Sequence, residues 1–264
     1  FYFLNDGKKQ QSVFMVRGCD DCEAKVLLDP NNFSKDGTIS LGDVSVSPDG
    51  KKIAYSISDG GSDWRTWKVM DIETKEELVD KIEWSKFSYA TWESDSSGFY
   101  YQKYEKPDEA LADVNRSPQL YFHRLSEDQK EDKLIYQDEQ NPDRSWSISV
   151  PEEGKYRVLS IGEGTDERNL IYVQFDKGEE FIPIIKEFEA TYNFLGGVNN
   201  TLWFYTTSDA PRGKVVSLKI NQDGQYSWHD VIGESGPIST VSIIGKKIII
   251  NYLKDTLTDV KFFD

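Results

Sequence analysis

The side chains best suited to ligation or redox chemistry are few: two cysteines and two histidines in 264 residues. Cys19 and Cys22 form a single Cys-Asp-Asp-Cys. A structural zinc site needs about four ligands, and His123 and His229 stand at no finger spacing from that pair. A redox CxxC opens a helix behind a strand, where the helix N-terminus favours the thiolate. This one sits in a polar turn between two strand-like runs, and its two aspartates disfavour ionisation. The pair reads as two ordinary thiols in a loop, without a disulfide scaffold. No metal and no cofactor is expected.

Nucleophilic catalysis fares no better. A nucleophile elbow reads Gly-x-Ser-x-Gly, and the nearest string, Gly60-Gly-Ser-Asp-Trp64, lacks the final glycine. His123 and His229 have no evident nucleophile beside them, so both read as structural or surface residues. The 46 acidic residues could pair for glycoside hydrolysis by number alone, but Asn221-Gln-Asp-Gly-Gln-Tyr-Ser-Trp228 is one residue short of a sialidase-type Asp box. Calcium loops of the Asp-x-Asp-x-Asp-Gly form are absent. No catalytic residue is assigned to this chain.

The elements that must carry these residues repeat. A strand-like run, a polar turn and a second β-branched or aromatic run recur five times, with the last turn residue at Gly50, Gly98, Gly154, Asn200 and Gly245. The intervals are 48, 56, 46 and 45 residues, a period of about 49, which is the length of a propeller blade. Two further strand-like runs follow each of the first four hairpins, for example 65–72 and 77–82, and one follows the fifth. Four short strands per repeat, broken by Gly, Asp, Pro and Asn, predict an all-β chain of four-stranded antiparallel blades. The length divides into about 5.4 blades, read as one domain over 1–264, an incomplete ring of four complete units between two partial ones. The long interval marks an insertion at 105–118, expected to project as a loop.

Composition narrows the partners. A formal charge of −15 with no basic stripe disfavours nucleic acid, and no apolar run approaches a membrane span. Thirteen per cent aromatic residues argue against disorder. The first residues, Phe-Tyr-Phe-Leu-Asn-Asp, lack the charged start of a signal peptide and an initiating Met, so the chain reads as cut from something longer.

Two stretches go beyond a generic repeat. They are Val26-Leu-Leu-Asp-Pro-Asn-Asn-Phe-Ser-Lys-Asp-Gly-Thr38 leading into Ser45-Val-Ser-Pro-Asp-Gly-Lys-Lys-Ile-Ala-Tyr-Ser56, and Gly61-Ser-Asp-Trp64 followed by Trp67-Lys-Val-Met-Asp-Ile72. With Gly98-Phe-Tyr-Tyr101, Leu120-Tyr-Phe-His123 and Leu159-Ser-Ile-Gly-Glu-Gly-Thr-Asp166 in the same order, the chain resembles the propeller of the prolyl oligopeptidase family. That resemblance implies a propeller of seven blades in a serine endopeptidase cleaving short peptides after proline, with an α/β-hydrolase domain that this chain does not contain. The propeller would cover the active site and screen substrates by size, and the family is cytoplasmic.

Carried over by resemblance, Tyr100 and Arg168 would face the substrate cavity, with Asp63 and Trp64 as further candidates. The order Arg168-Asn169 inverts one common in the family. The insertion, with Glu105, Lys106, Asp108, Asp113 and Asn115, would be a loop gating substrate passage. The alternative is a stand-alone protein-binding propeller without enzymatic activity.

Overall fold

The computed structural model describes residues 1–106, 116–153, 155–175, 180–221, 225–245 and 247–264. Among them the regular secondary structure is strand, apart from two short 3₁₀ turns, Pro30–Asn32 and Gln129–Glu131. Contacts divide it into two units, Phe1–Pro142 and Asp143–Asp264.

In the first unit, β1 (Tyr2–Leu4), β2 (Val13–Val16) and β3 (Lys25–Leu28) make a three-stranded sheet. A complete blade follows: β4 (Ile39–Val46), β5 (Lys52–Asp59), β6 (Arg65–Asp71) and β7 (Glu77–Ser85). The next contains β8 (Thr91–Trp92), β9 (Gly98–Lys103), β10 (Gln119–Arg124) and β11 (Lys133–Tyr136). One antiparallel pairing, Ser85 with Lys103, joins these two blades into a continuous sheet.

The second unit repeats the pattern. β12 (Arg144–Ser149), β13 (Arg157–Glu163), β14 (Leu170–Gln174) and β15 (Ile182–Ile185) form one blade. β16 (Tyr192–Val198), β17 (Thr201–Thr206), β18 (Lys214–Ile220) and β19 (Tyr226–Ile232) form another. β20 (Ile238–Ile244), β21 (Lys247–Lys254) and β22 (Leu257–Phe263) close the chain as a three-stranded sheet. Four complete blades between two partial ones is the arrangement that the repeat predicts.

Apolar residues on alternate strand positions bury against the adjacent blade. Ala54, Trp67, Val69 and Ile82 pack on Trp92, Phe99 and Tyr101 in the first unit. Tyr156, Val158, Ile171 and Val173 pack on Leu202, Phe204 and Val216 in the second. These faces hold the fold together, since burying one such side chain contributes about 1.5–3 kcal/mol.

The repeat turns are built from their sequence. In Ser47-Pro-Asp-Gly50 the Asp49 carboxylate accepts from Ser47 Oγ at 2.6 Å and from the Lys51 N–H at 3.1 Å, and Gly50 takes φ of 70°. The anchors are not chemically equivalent, however. Gly98 is needed because a Cβ there would lie 2.0 Å from the His123 carbonyl oxygen. In the fourth repeat the left-handed residue is Asn199, with φ of 54°, one place before the expected Asn200.

Cys19 and Cys22 depart from expectation: they are joined in a disulfide. The turn between β2 and β3 closes with Cys22 N–H donating to the Cys19 carbonyl at 3.2 Å. That brings the Cα atoms to 5.0 Å, within bridging range. The two aspartates between them point to solvent and do not oppose pairing.

Candidate functional site: an aromatic platform and a buried imidazolium

Asp63 and Trp64 lie at the end of the loop joining β5 to β6. Gly60 and Gly61 take φ of 58° and 73°, reversing the chain so that Trp64 N–H meets Ser62 Oγ at 3.1 Å. The Trp64 ring stands edge-on to Trp84 at 5.7 Å and to Tyr104 at 6.2 Å between centroids. Lys86 Nζ sits 5.2 Å from the Trp64 ring and 5.1 Å from that of Phe87, favourable cation–π geometry. It also lies 3.7 Å from Asp63 Oδ2. Lys106 Nζ lies 5.3 Å from the Trp84 ring. Trp64 and Trp84 also border a cleft of about 400 Å³ lined by Ile39, Ser62 and Arg65.

Two bulky residues of this group have left-handed backbones, Trp84 with φ of 61° and Phe87 with φ of 51°. Side chains of that size adopt such conformations only where the surroundings impose them, at a cost of about 1–3 kcal/mol each. The result is a Phe87 ring that is 65% exposed, near an equally exposed Tyr89. Of this cluster the sequence marks Asp63 and Trp64 as candidates and gives no sign of Trp84, Lys86 and Phe87. Trp-Ser-Lys-Phe has no periodicity that marks an outward aromatic held by its backbone.

Tyr100 joins a different cluster. It is buried on β9, with its hydroxyl donating to Glu93 Oε2 at 2.9 Å and its ring 4.9 Å from that of Phe122. Its neighbours Phe99 and Tyr101 face the core between blades, as strand alternation requires. Arg168 belongs to the second unit and is exposed. Its guanidinium grips the Asp166 carboxylate through Nε and Nη2, and this bond holds Asp166 down at a pKa of about 2. Glu105 and Lys106 are exposed; Asp108, Asp113 and Asn115 lie outside the described residues.

His123 is fully buried on β10. Its Nδ1 lies 2.7 Å from Asp132 Oδ1 and its Nε2 lies 2.9 Å from Asp80 Oδ1. Ionised carboxylates only accept, so both ring nitrogens donate and the ring is an imidazolium. Burial pushes its pKa down, but the two carboxylates outweigh burial and raise it to about 9. Burial likewise works against ionised Asp80, and its bonds to His123 and the Ser126 N–H hold its pKa below the usual value. Asp132 also accepts from Tyr101 Oη at 2.7 Å. With both nitrogens engaged, His123 has no lone pair with which to act as a base. His229, on β19, is exposed, its Nε2 2.9 Å from Ser227 Oγ.

Among the described residues no helix is long and apolar enough to cross a membrane. Nor do any three His, Cys, Asp or Glu side chains among them form a group able to hold a metal ion.

Comparison with known proteins agrees with this architecture. The family described as prolyl oligopeptidase, N-terminal β-propeller domain, matches residues 1–264. A prolyl endopeptidase of Elizabethkingia meningoseptica is 34% identical over all of this chain and 37% of its own length. A dual-function macrocyclase-peptidase of Amanita bisporigera is 29% identical over 98% of this chain and 39% of its own. Among solved structures, one from a study of two prolyl endopeptidases superposes with a TM-score of 0.91 at 30% identity, over 100% of this chain and 38% of that one. Prolyl oligopeptidase B of Galerina marginata gives 0.89 at 26% identity, over 99% of this chain and 40% of that one. The chain thus spans about two fifths of the length of these relatives. By its matched residues and its blades, it belongs to the prolyl oligopeptidase family, as that family's N-terminal β-propeller domain.

Proposed function

We propose that this chain is the non-catalytic propeller portion of a serine endopeptidase that cleaves short peptides after proline. Its role is to cover an α/β-hydrolase domain carrying the Ser-Asp-His triad, screen substrates by size and supply part of the substrate wall. The observation that carries this reading is the platform of Trp64, Trp84, Lys86 and Phe87, held rigid at the end of one blade. Flat aromatic faces suit prolyl rings and apolar side chains, while Asp63 and Lys86 offer opposite charges to the peptide backbone. Tyr100 would act on the wall from within its own blade, its ring fixed by Glu93. Arg168 uses part of its donor fork on Asp166 and retains donors for a peptide carbonyl. The segment 105–118 would control admission of longer peptides.

A cytoplasmic location rests on the family resemblance alone. The Cys19–Cys22 disulfide favours an oxidising compartment, and thiol labelling of protein taken directly from cells decides between them.

The test compares this chain with the full-length protein on a chromogenic Gly-Pro peptide. Turnover by the full-length protein and none by this chain supports the proposal. A transcript that ends at Asp264, or a full-length protein inert towards proline peptides, would leave the stand-alone binding propeller as the better account.

A further inference from the structure

The disulfide at the tip of the β2–β3 hairpin joins no two elements of the fold and is open to solvent. Pairing of the two strands ends at Val16 with Lys25, so Cys19 and Cys22 both lie within the connecting loop. The strands are placed without the bond: Phe14, Leu27 and Leu28 are buried against Ile53, Tyr55 and Met70 of the following blade. A cross-link stabilises chiefly by removing loop-closure entropy from the unfolded chain, and that effect is smallest for a ring this short. Every residue from Arg17 to Glu23 is exposed, so a thiolate can approach either sulfur. Structural disulfides resist reduction, and exposed ones are the labile class.

The turn is also arranged to close again. Independently of the sulfurs, the Cys22 N–H donates to the Cys19 carbonyl at 3.2 Å and Arg17 Nη1 donates to the Asp20 carbonyl at 3.2 Å. Arg17 in turn lies 5.8 Å from the Tyr2 ring on β1. These contacts keep the two cysteines within reach of each other when the S–S bond is open.

We propose that Cys19–Cys22 is a site of reversible thiol–disulfide exchange whose reductant is a dithiol, opened and closed without disturbing the blade that carries it. One thiolate of the dithiol attacks a sulfur of the pair, the S–S bond breaks and the other cysteine leaves as a thiolate. The dithiol's second thiolate then attacks the mixed disulfide, closing its own disulfide and freeing the remaining cysteine. Two electrons and two protons pass to the pair, and oxidation by an added disulfide runs the same steps in reverse. A monothiol is a poorer reductant, because the neighbouring cysteine expels it from the mixed disulfide before a second molecule arrives. The site is independent of the substrate wall.

The experiment exposes the folded full-length protein to dithiothreitol, alkylates free thiols at intervals and measures the label on Cys19 and Cys22 by mass spectrometry. The reference is a synthetic peptide of residues 17–24 in its disulfide form. Reduction in the protein is expected to run within about tenfold of the peptide rate, and oxidised glutathione added after removal of the reductant should restore the bond. The reduced protein should melt within about 5 °C of the oxidised one. Cys19→Ser, which cannot form the bond, should melt with the reduced form and separates its loss from effects of reductant elsewhere. Glutathione at the same thiol concentration should reduce the pair at least about tenfold more slowly than dithiothreitol. Reduction slower than the tenfold limit, or a larger drop in melting temperature in both the reduced protein and Cys19→Ser, would overturn the proposal in favour of a structural cross-link. Glutathione acting as fast as dithiothreitol would overturn the assignment of a dithiol reductant.

Discussion

His123 Nε2 and Asp80 Oδ1 lie 2.9 Å apart although 43 residues separate them in sequence, and both side chains are closed to solvent. Asp80 is on β7 and His123 on β10, so this contact bridges adjacent blades and Asp132 completes it from the other side of the ring.

The bridge makes stability depend on pH in a defined direction. His123 titrates at about 9 in the folded chain and at about 6.5 unfolded. Its contribution is complete below the unfolded value and is lost as pH rises through 9, an effect on the order of 3 kcal/mol. Asp80, depressed in the fold, contributes above its unfolded pKa and loses that contribution as pH falls through its lowered one. Denaturant melts between pH 6 and 10 should show stability falling with rising pH, and His123→Gln should flatten that fall. A profile that is flat in the unmodified chain would contradict the imidazolium assignment.

Breaking one side of the bridge should cost more than its surface counterparts. Asp80→Ala leaves a buried imidazolium with one carboxylate, and a loss of about 3–5 kcal/mol is expected. Asp166→Ala, which removes the exposed partner of Arg168, should leave stability nearly unchanged by the same denaturant assay.

Gly98→Ala should destabilise by about 1–3 kcal/mol, since its Cβ would press on the His123 carbonyl. Gly50→Ala acts through φ alone, with open space around the Cβ, and should cost about 1 kcal/mol or somewhat more. Similar chemical-denaturation midpoints for the two variants would contradict the distinction.

Edge strands of the partial blades carry exposed apolar residues, Phe3 on β1 and Leu257, Val260 and Phe262 on β22. Unpaired strand edges of this kind promote association, so this chain expressed alone should sediment as a mixture of sizes. Phe262→Lys should shift the mixture towards monomer, and a monodisperse monomer before any substitution would count against the expectation.

Shortening the segment 105–118 in the full-length protein should alter turnover of peptides of about ten residues or more, with little effect on dipeptide substrates. Equal effects on both classes would argue against gating.

Much of this fold was legible because blades repeat: turn residues such as Gly50 and Gly245 recur where a left-handed φ is needed, and alternation along a strand such as β9 puts Phe99 and Tyr101 together on the core face. The relationships that remained hidden are those between repeats. Strand alternation sets His123 on one face with Tyr121 but carries no sign that Asp80 and Asp132 converge there. The Cys19–Cys22 bond depended on how tightly one four-residue turn closes. At the platform, Trp64 was marked by its motif. Phe87 was not, because no local pattern encodes the left-handed backbone at which it faces solvent.

The account stands most directly on whether the platform meets substrate. In the full-length protein, the proposed endopeptidase activity should show KM for short proline peptides raised by about tenfold in Trp64→Ala, equivalent to about 1.4 kcal/mol of lost binding, with kcat within about twofold. An unchanged KM in a folded variant would contradict the assignment of this propeller surface to the substrate wall.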